Sequence, residues 1–106
     1  MKQEEKIEMW RNGPLPQNFK RHAYFAAYEF ALYKDDALEY LQWCKVNGYE
    51  VVGYETWFPT KPGPTVLIAG GRGDADTCYK LILNDDFAKE EKERGLKIVF
   101  NISVDI

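Results

Sequence analysis

The chain has 106 residues, of which 45% are hydrophobic, 29% charged and 15% aromatic. That length is one domain's worth, and that balance excludes wholesale disorder. The formal net charge is −3, and the longest stretch without Lys, Arg, Asp or Glu, Pro62–Gly71, falls far short of the roughly 18 apolar residues a membrane span needs.

Residues 1–18 read as a lead-in. Met1–Trp10 predicts a short charged helix, and Asn12-Gly13-Pro14-Leu15-Pro16 must stop it, because proline lacks a donor and fixes φ. Trp10 is the one large apolar anchor there. Residues 19–106 read as a single α+β domain.

Over 19–33, Phe19, Ala23, Ala26, Ala27, Phe30 and Ala31 fall at helical spacing, and four alanines favour helix. Tyr24, Phe25, Tyr28, Leu32 and Tyr33 would cover the other faces. A helix apolar all round wants two partners, the domain and a second subunit. A strand with Tyr24, Ala26, Tyr28, Phe30 and Leu32 alternating is the alternative.

A helix is predicted over 36–47. Asp36 as N-cap with Glu39 three residues on is a capping-box arrangement. Ala37, Leu38, Leu41 and Cys44 give the buried stripe, and Asn47-Gly48 ends the helix. Tyr49–Phe58 alternates as a strand, 59–64 is a Pro/Gly turn, and Thr65–Ala69 is a second strand of an antiparallel hairpin. Gly70-Gly71-Arg72-Gly73 reads as a flexible loop before an Asp-capped helix over 74–94, interrupted at Asn84-Asp85-Asp86 and ended by Gly95. From Leu96 to Val104, apolar and mostly polar residues alternate as in a strand with one wet face.

The expected fold is α+β: a two-layer sandwich with a small, mainly antiparallel sheet of three or more strands and helices on one face. With 19–33 as strand the order becomes βαββαβ, the ferredoxin-like pattern.

Chemistry-bearing patterns are sparse. One histidine, His22, and two distant cysteines, Cys44 and Cys78, do not make a zinc site. Asp74/Asp76 and Asp85/Asp86 lack the flanking ligands of a calcium loop. No cofactor and no metal is expected. Cys78 near a helix start, with His22 as base, is the one candidate nucleophilic dyad, against the blander reading of a core thiol. The Gly70–Asp74 segment lacks the P-loop and dinucleotide endings, although its strand-to-helix setting is one in which phosphate is held. Glu55, on a strand beside Trp57, is a candidate acid with a raised pKa. Two cysteines and a charged N-terminal segment without an apolar run point to a cytoplasmic protein with reduced thiols.

Residues 1–34 carry net charge +2 and residues 35–106 net −5. Nucleic-acid binders cluster Lys and Arg instead, so a nucleic-acid partner is not expected. The acidic part would attract a basic protein. Tyr49, Tyr54, Trp57 and Phe58 crowd one hairpin, with Glu50 and Glu55 interleaved. Tyr and Trp dominate binding hot spots. The candidate partner-binding set is therefore Tyr49, Glu50, Tyr54, Glu55 and Trp57, with strand alternation sending about half of such rings into the core.

The stretch Gly48-Tyr49-Glu50-Val51-Val52-Gly53-Tyr54-Glu55-Thr56-Trp57-Phe58-Pro59, followed by Pro62-Gly63-Pro64-Thr65, resembles predicted immunity proteins of bacterial polymorphic toxin systems. There a helix leads into a Gly–aromatic–Glu–x–Trp strand and a Pro/Gly turn. The resemblance is confined to 48–65. It implies a small cytosolic protein that binds and blocks a toxin domain, with Gly53, Glu55 and Trp57 the positions that carry over. The alternatives are a homodimeric structural or small-ligand-binding module, paired through 19–33 or an edge strand, and, behind both, a small enzyme using Cys78 or Glu55.

Overall fold

The computed structural model describes residues 7–105, apart from the side chain of residue 68. Strands β1 (Ile7–Trp10) and β2 (Gly13–Pro16) form an antiparallel hairpin, with Ile7 opposite Pro16 and Trp10 opposite Gly13. This replaces the expected N-terminal helix over 7–10, and residues 1–6 of that expectation lie outside the described residues. Pro14 and Pro16 hold an extended backbone that suits an edge strand. The segment is no separate lead-in over its described part. Leu15 is fully buried in the main core, and the Tyr40 hydroxyl donates to the Pro14 carbonyl at 2.6 Å.

The helix expected over 19–33 does not form. After the single turn α1 (Gln17–Lys20), β3 (Tyr24–Ala26) and β4 (Glu29–Tyr33) make a hairpin with Tyr24 opposite Ala31 and Ala26 opposite Glu29. Pairing with the rest of the sheet overrides the alanine propensity, which is worth only about 0.7 kcal/mol per residue. The single alternating strand does not form either: the segment folds back at Ala27-Tyr28, so Tyr24 and Ala26 face the second, smaller cluster while Phe30 and Leu32 face the main core. Ala27 sits at φ 53, a left-handed position that costs a residue with a Cβ roughly 1–2 kcal/mol.

Helix α2 spans Lys34–Val46, starting two residues earlier than expected. Tyr33 is its N-cap and no side chain caps it, so the expected Asp36–Glu39 capping box is absent. Asp35 and Asp36 lie in its first turn instead, where they favour the helix dipole. Its end is as the sequence predicts. Gly48 has φ 76, Gly48 N–H donates to Lys45 O at 3.4 Å, and Tyr49 N–H donates to Cys44 O at 2.9 Å. That pair of bonds is a Schellman cap. Gly48→Ala meets open space but keeps the positive φ, so it is expected to lower stability by about 1 kcal/mol. An unchanged urea midpoint would disprove this.

Strands β5 (Glu50–Phe58), β6 (Thr65–Arg72) and β7 (Val99–Asp105) complete a five-stranded sheet of order β3-β4-β7-β5-β6, with every neighbouring pair antiparallel. β4 and β5, both antiparallel to the β7 between them, run parallel and are joined by α2. Helices α3 (Ala75–Asn84) and α4 (Ala88–Arg94) are separated at 85–87 as the sequence predicts, and Gly95 ends α4 in a left-handed conformation. From β4 onward, with α3 and α4 as one layer, the order is βαββαβ.

The main core lies between the helices and one sheet face. Tyr40, Leu41 and Cys44 of α2 and Cys78 and Ile82 of α3 meet Phe30, Leu32, Val51, Tyr54, Phe58, Phe100, Ile102 and Val104. A register shift between Val51 and Gly53 lets Val51 and Tyr54, three apart, both face inward. The opposite face carries a second small core of Ala31, Trp57 and Val99, with Tyr24 and Ala26 against it. β7 therefore lacks the wet face expected of it through most of its length. Val99 and Asn101 are buried, and only toward Ser103 and Asp105 does that face open. Among the described residues no helix is long and apolar enough to cross a membrane.

Candidate functional site

The five residues singled out in the 49–57 hairpin do not form one surface. Tyr49 is half-buried and stacks on Trp43 with ring centres 5.2 Å apart, and Trp43 in turn stacks on Tyr40 at 6.0 Å. Glu50 is exposed, in a shallow cleft with Asp74 and Asp76, where the Lys45 ammonium donates to both Asp76 oxygens at 2.9 Å. Tyr54 is inside the main core, and its hydroxyl donates to Asp85 Oδ2 at 3.0 Å. Burial, and then the Asp85 carboxylate, push that phenol well above its usual range. Glu55 and Trp57 lie on the opposite face. Trp57 is buried, and its indole N–H donates to Glu55 Oε2 at 3.1 Å. Of the candidate rings, Tyr54 and Trp57 are both buried, one on each face, because the sheet is covered on both faces at Trp57. Glu55 is exposed, not partly buried, and its carboxylate is engaged by the indole.

The proposed dyad does not come together either. Cys78 is buried on the core face of α3, and its thiol donates to the Gly73 carbonyl at 3.4 Å. Burial, followed by the charge of Asp74, pushes it up to about 11, and desolvation overrides the helix dipole that would lower it. Burial likewise pushes Cys44 up to about 11. His22 is exposed and lines a groove of about 530 Å³ with Tyr33, Lys34, Asp36, Glu91 and Ile98, to whose wall Cys78 does not contribute. Thiolate-selective labelling of the native protein at neutral pH is therefore expected to run about a hundredfold slower than for a free thiol, since reactivity follows the thiolate fraction. Labelling of Cys78 at the free-thiol rate would restore the nucleophile.

The glycine run after β6 is not a loop. The strand continues through Arg72, and Gly71 packs where an added Cβ would lie 2.7 Å from Leu81 and 2.9 Å from the Tyr54 ring. Gly71 serves close packing of helix on strand, whereas at Gly70 a Cβ would meet the Tyr54 carbonyl of the neighbouring strand at 2.6 Å. The N-terminus of α3 is occupied by the chain's own Asp74, whose Oδ1 accepts from Thr77 N–H at 2.9 Å. That hydrogen bond holds the Asp74 carboxyl below its ordinary range.

A different surface stands out. Where the β1–β2 hairpin meets the β3–β4 turn, Met9, Phe25 and Tyr28 are 55%, 40% and 77% exposed. Half-buried Trp10 joins them, its ring 4.9 Å from Phe25 and edge-on to buried Phe30 at 6.4 Å. Arg11 N–H donates to Tyr28 O at 2.9 Å, tying the two hairpins together. Glu8, Met9, Trp10, Arg11 and Tyr28 line a groove of about 460 Å³. The Glu8 carboxylate accepts from the Trp10 indole at 3.2 Å and from Lys20, and the Lys20 contact leads in holding its pKa below the ordinary range. The strained Ala27 directly precedes Tyr28, and strained backbone gathers at sites where a side chain must be presented.

This surface was not singled out from the sequence. Its signal was the excess of apolar residues in 19–33, more than one helix face buries; Phe25 and Tyr28 are that excess. Comparison of the chain with family models, with curated proteins and with solved structures gives no match.

Proposed function

We propose that this chain is a non-enzymatic protein-binding module that docks its partner through the patch of Met9, Trp10, Arg11, Phe25 and Tyr28. The observation that carries the reading is the exposure of Met9 and Tyr28 on one groove, with exposed Phe25 packed on Trp10 of the same groove, on two cross-tied hairpins. Trp, Tyr and Arg are the residues enriched in binding hot spots, and they gain most when a partner removes them from water. The buried thiols of Cys44 and Cys78 support the non-enzymatic part.

The resemblance of residues 48–65 to immunity proteins supplies the partner class, a toxin domain neutralised in the cytosol. The net charge of −5 over residues 35–106 favours a basic partner through long-range attraction, which acts on association rate more than on affinity. The test is calorimetric titration of this protein with the C-terminal domain of a secreted protein encoded beside its gene. Tyr28→Ala, which removes an exposed ring and leaves the core alone, is expected to weaken that complex by about 2 kcal/mol, roughly 30-fold. Full-strength binding by Tyr28→Ala would move the interface elsewhere, and no complex with the wild-type protein would overturn the toxin reading.

A further inference from the structure

We infer that the same patch, when no other partner occupies it, receives a second copy of this chain across a two-fold axis. This rests on reading the patch as a docking surface and adds its occupant in the isolated protein.

The argument is self-complementarity. In a two-fold interface the same surface meets itself, so each charged group must find its opposite within its own patch. The groove carries one cation and one carboxylate, Arg11 and Glu8. Arg11 is exposed and makes no ion pair among the described residues. Glu8 accepts from Trp10 and Lys20, and its two oxygens keep lone pairs for a further donor. A two-fold axis through the groove brings Arg11 of each copy to Glu8 of the other, two ion pairs around a centre of Met9, Trp10 and Tyr28. Both signs within one exposed aromatic patch suit a second copy better than a partner of uniform charge. The flanking strand β3 is the outer strand of the sheet, so the sheet's own packing does not bar approach from that side. Self-association then competes with partner binding and keeps the aromatic patch out of water until a partner displaces it.

The test is sedimentation velocity of the full chain over micromolar to millimolar concentrations, with circular dichroism to confirm that each variant is folded. The wild type is expected to shift from monomer to dimer, and Tyr28→Ala to raise the dissociation constant by about 30-fold or more, as loss of a hot-spot ring does. Arg11→Glu alone and Glu8→Lys alone are each expected to be monomeric, because each sets like charges against each other. An equimolar mixture of the two should regain the dimer, since the two carboxylates of the Arg11→Glu copy then face the two cations of the Glu8→Lys copy. A wild type that stays monomeric throughout overturns the inference. So does a dimer indifferent to Tyr28→Ala, or a mixture that stays monomeric. A monomer that still binds its toxin domain sinks only this inference, whereas a dimer that binds no toxin domain leaves it standing and removes the toxin reading.

Discussion

Trp57→Ala is expected to lower the stability of the domain by about 3–5 kcal/mol, the cost of removing a large aromatic side chain from a packed interior. Trp57 is 4% exposed although, among the described residues, only strand residues pack in its cluster. Its own ring and that of Tyr24, edge-on at 6.5 Å, cover Ala31 and Val99. The Tyr24 hydroxyl is tied down by donating to Thr60 O at 2.8 Å. Without the indole, water reaches Ala31 on β4 and Val99 on the adjacent β7, where the two strands share only two residue pairs. Domains of this size have about 5–15 kcal/mol in all, so the loss is a large share. Urea denaturation reads it directly. Trp57→Phe should lose markedly less, because it keeps a ring over the same strands. A midpoint change worth under about 1 kcal/mol for the alanine variant would mean that the second core contributes little.

What was legible in the sequence was local. Gly48 and Gly95 as helix ends, an aspartate of 74–76 as a cap, the interruption at 84–86 and the β5–β6 hairpin each depend on residues a few positions apart. The α+β class followed from them. The failures are non-local. Residues 19–33 read as helix because alanine spacing is a local signal, whereas the partners that make β4 a strand, Val99 and Phe100, lie more than sixty positions away. The turn that splits the segment carries Ala27 where glycine would have announced it. Trp57 looked like surface because the ring that closes over it, Tyr24, belongs to that misread segment. The real aromatic patch was half visible as apolar excess, but joining Phe25 and Tyr28 to Met9 and Trp10 required knowing that two hairpins cross.

Asn12→Ala is the second large effect expected. Asn12 is 5% exposed, in the turn between β1 and β2, and it sits where the sheet comes apart. β4 pairs with β7 only at Leu32–Phe100 and Tyr33–Val99. Beyond Phe30 the strands diverge, and the Asn12 amide bridges them as a peptide group would. Its Nδ2 donates to Phe30 O at 3.1 Å and to Ile102 O at 2.8 Å, and its Oδ1 accepts from Phe30 N–H at 3.0 Å. The Asn12 carbonyl accepts from Val104 N–H at 2.8 Å, which fixes the turn in place. Alanine keeps that last bond and loses the other three. Phe30 O retains Asn101 Nδ2 at 3.0 Å, but Phe30 N–H and the Asn12-facing side of Ile102 O lose their partner. Each buried group left unpaired costs about 1–3 kcal/mol, so a total of roughly 2–5 kcal/mol is expected. Asn12→Asp should be worse near neutral pH, since a carboxylate there faces two carbonyl oxygens and cannot donate. Its stability should recover as pH falls, because a protonated acid regains one donor. Denaturation midpoints measure the loss, and native-state amide exchange locates it: the Phe30 amide should lose protection before those of Leu32 and Phe100. A Phe30 amide as protected in Asn12→Ala as in the wild type would show that β4 and β7 close the gap by direct pairing, and that the hairpin turn is not what joins them.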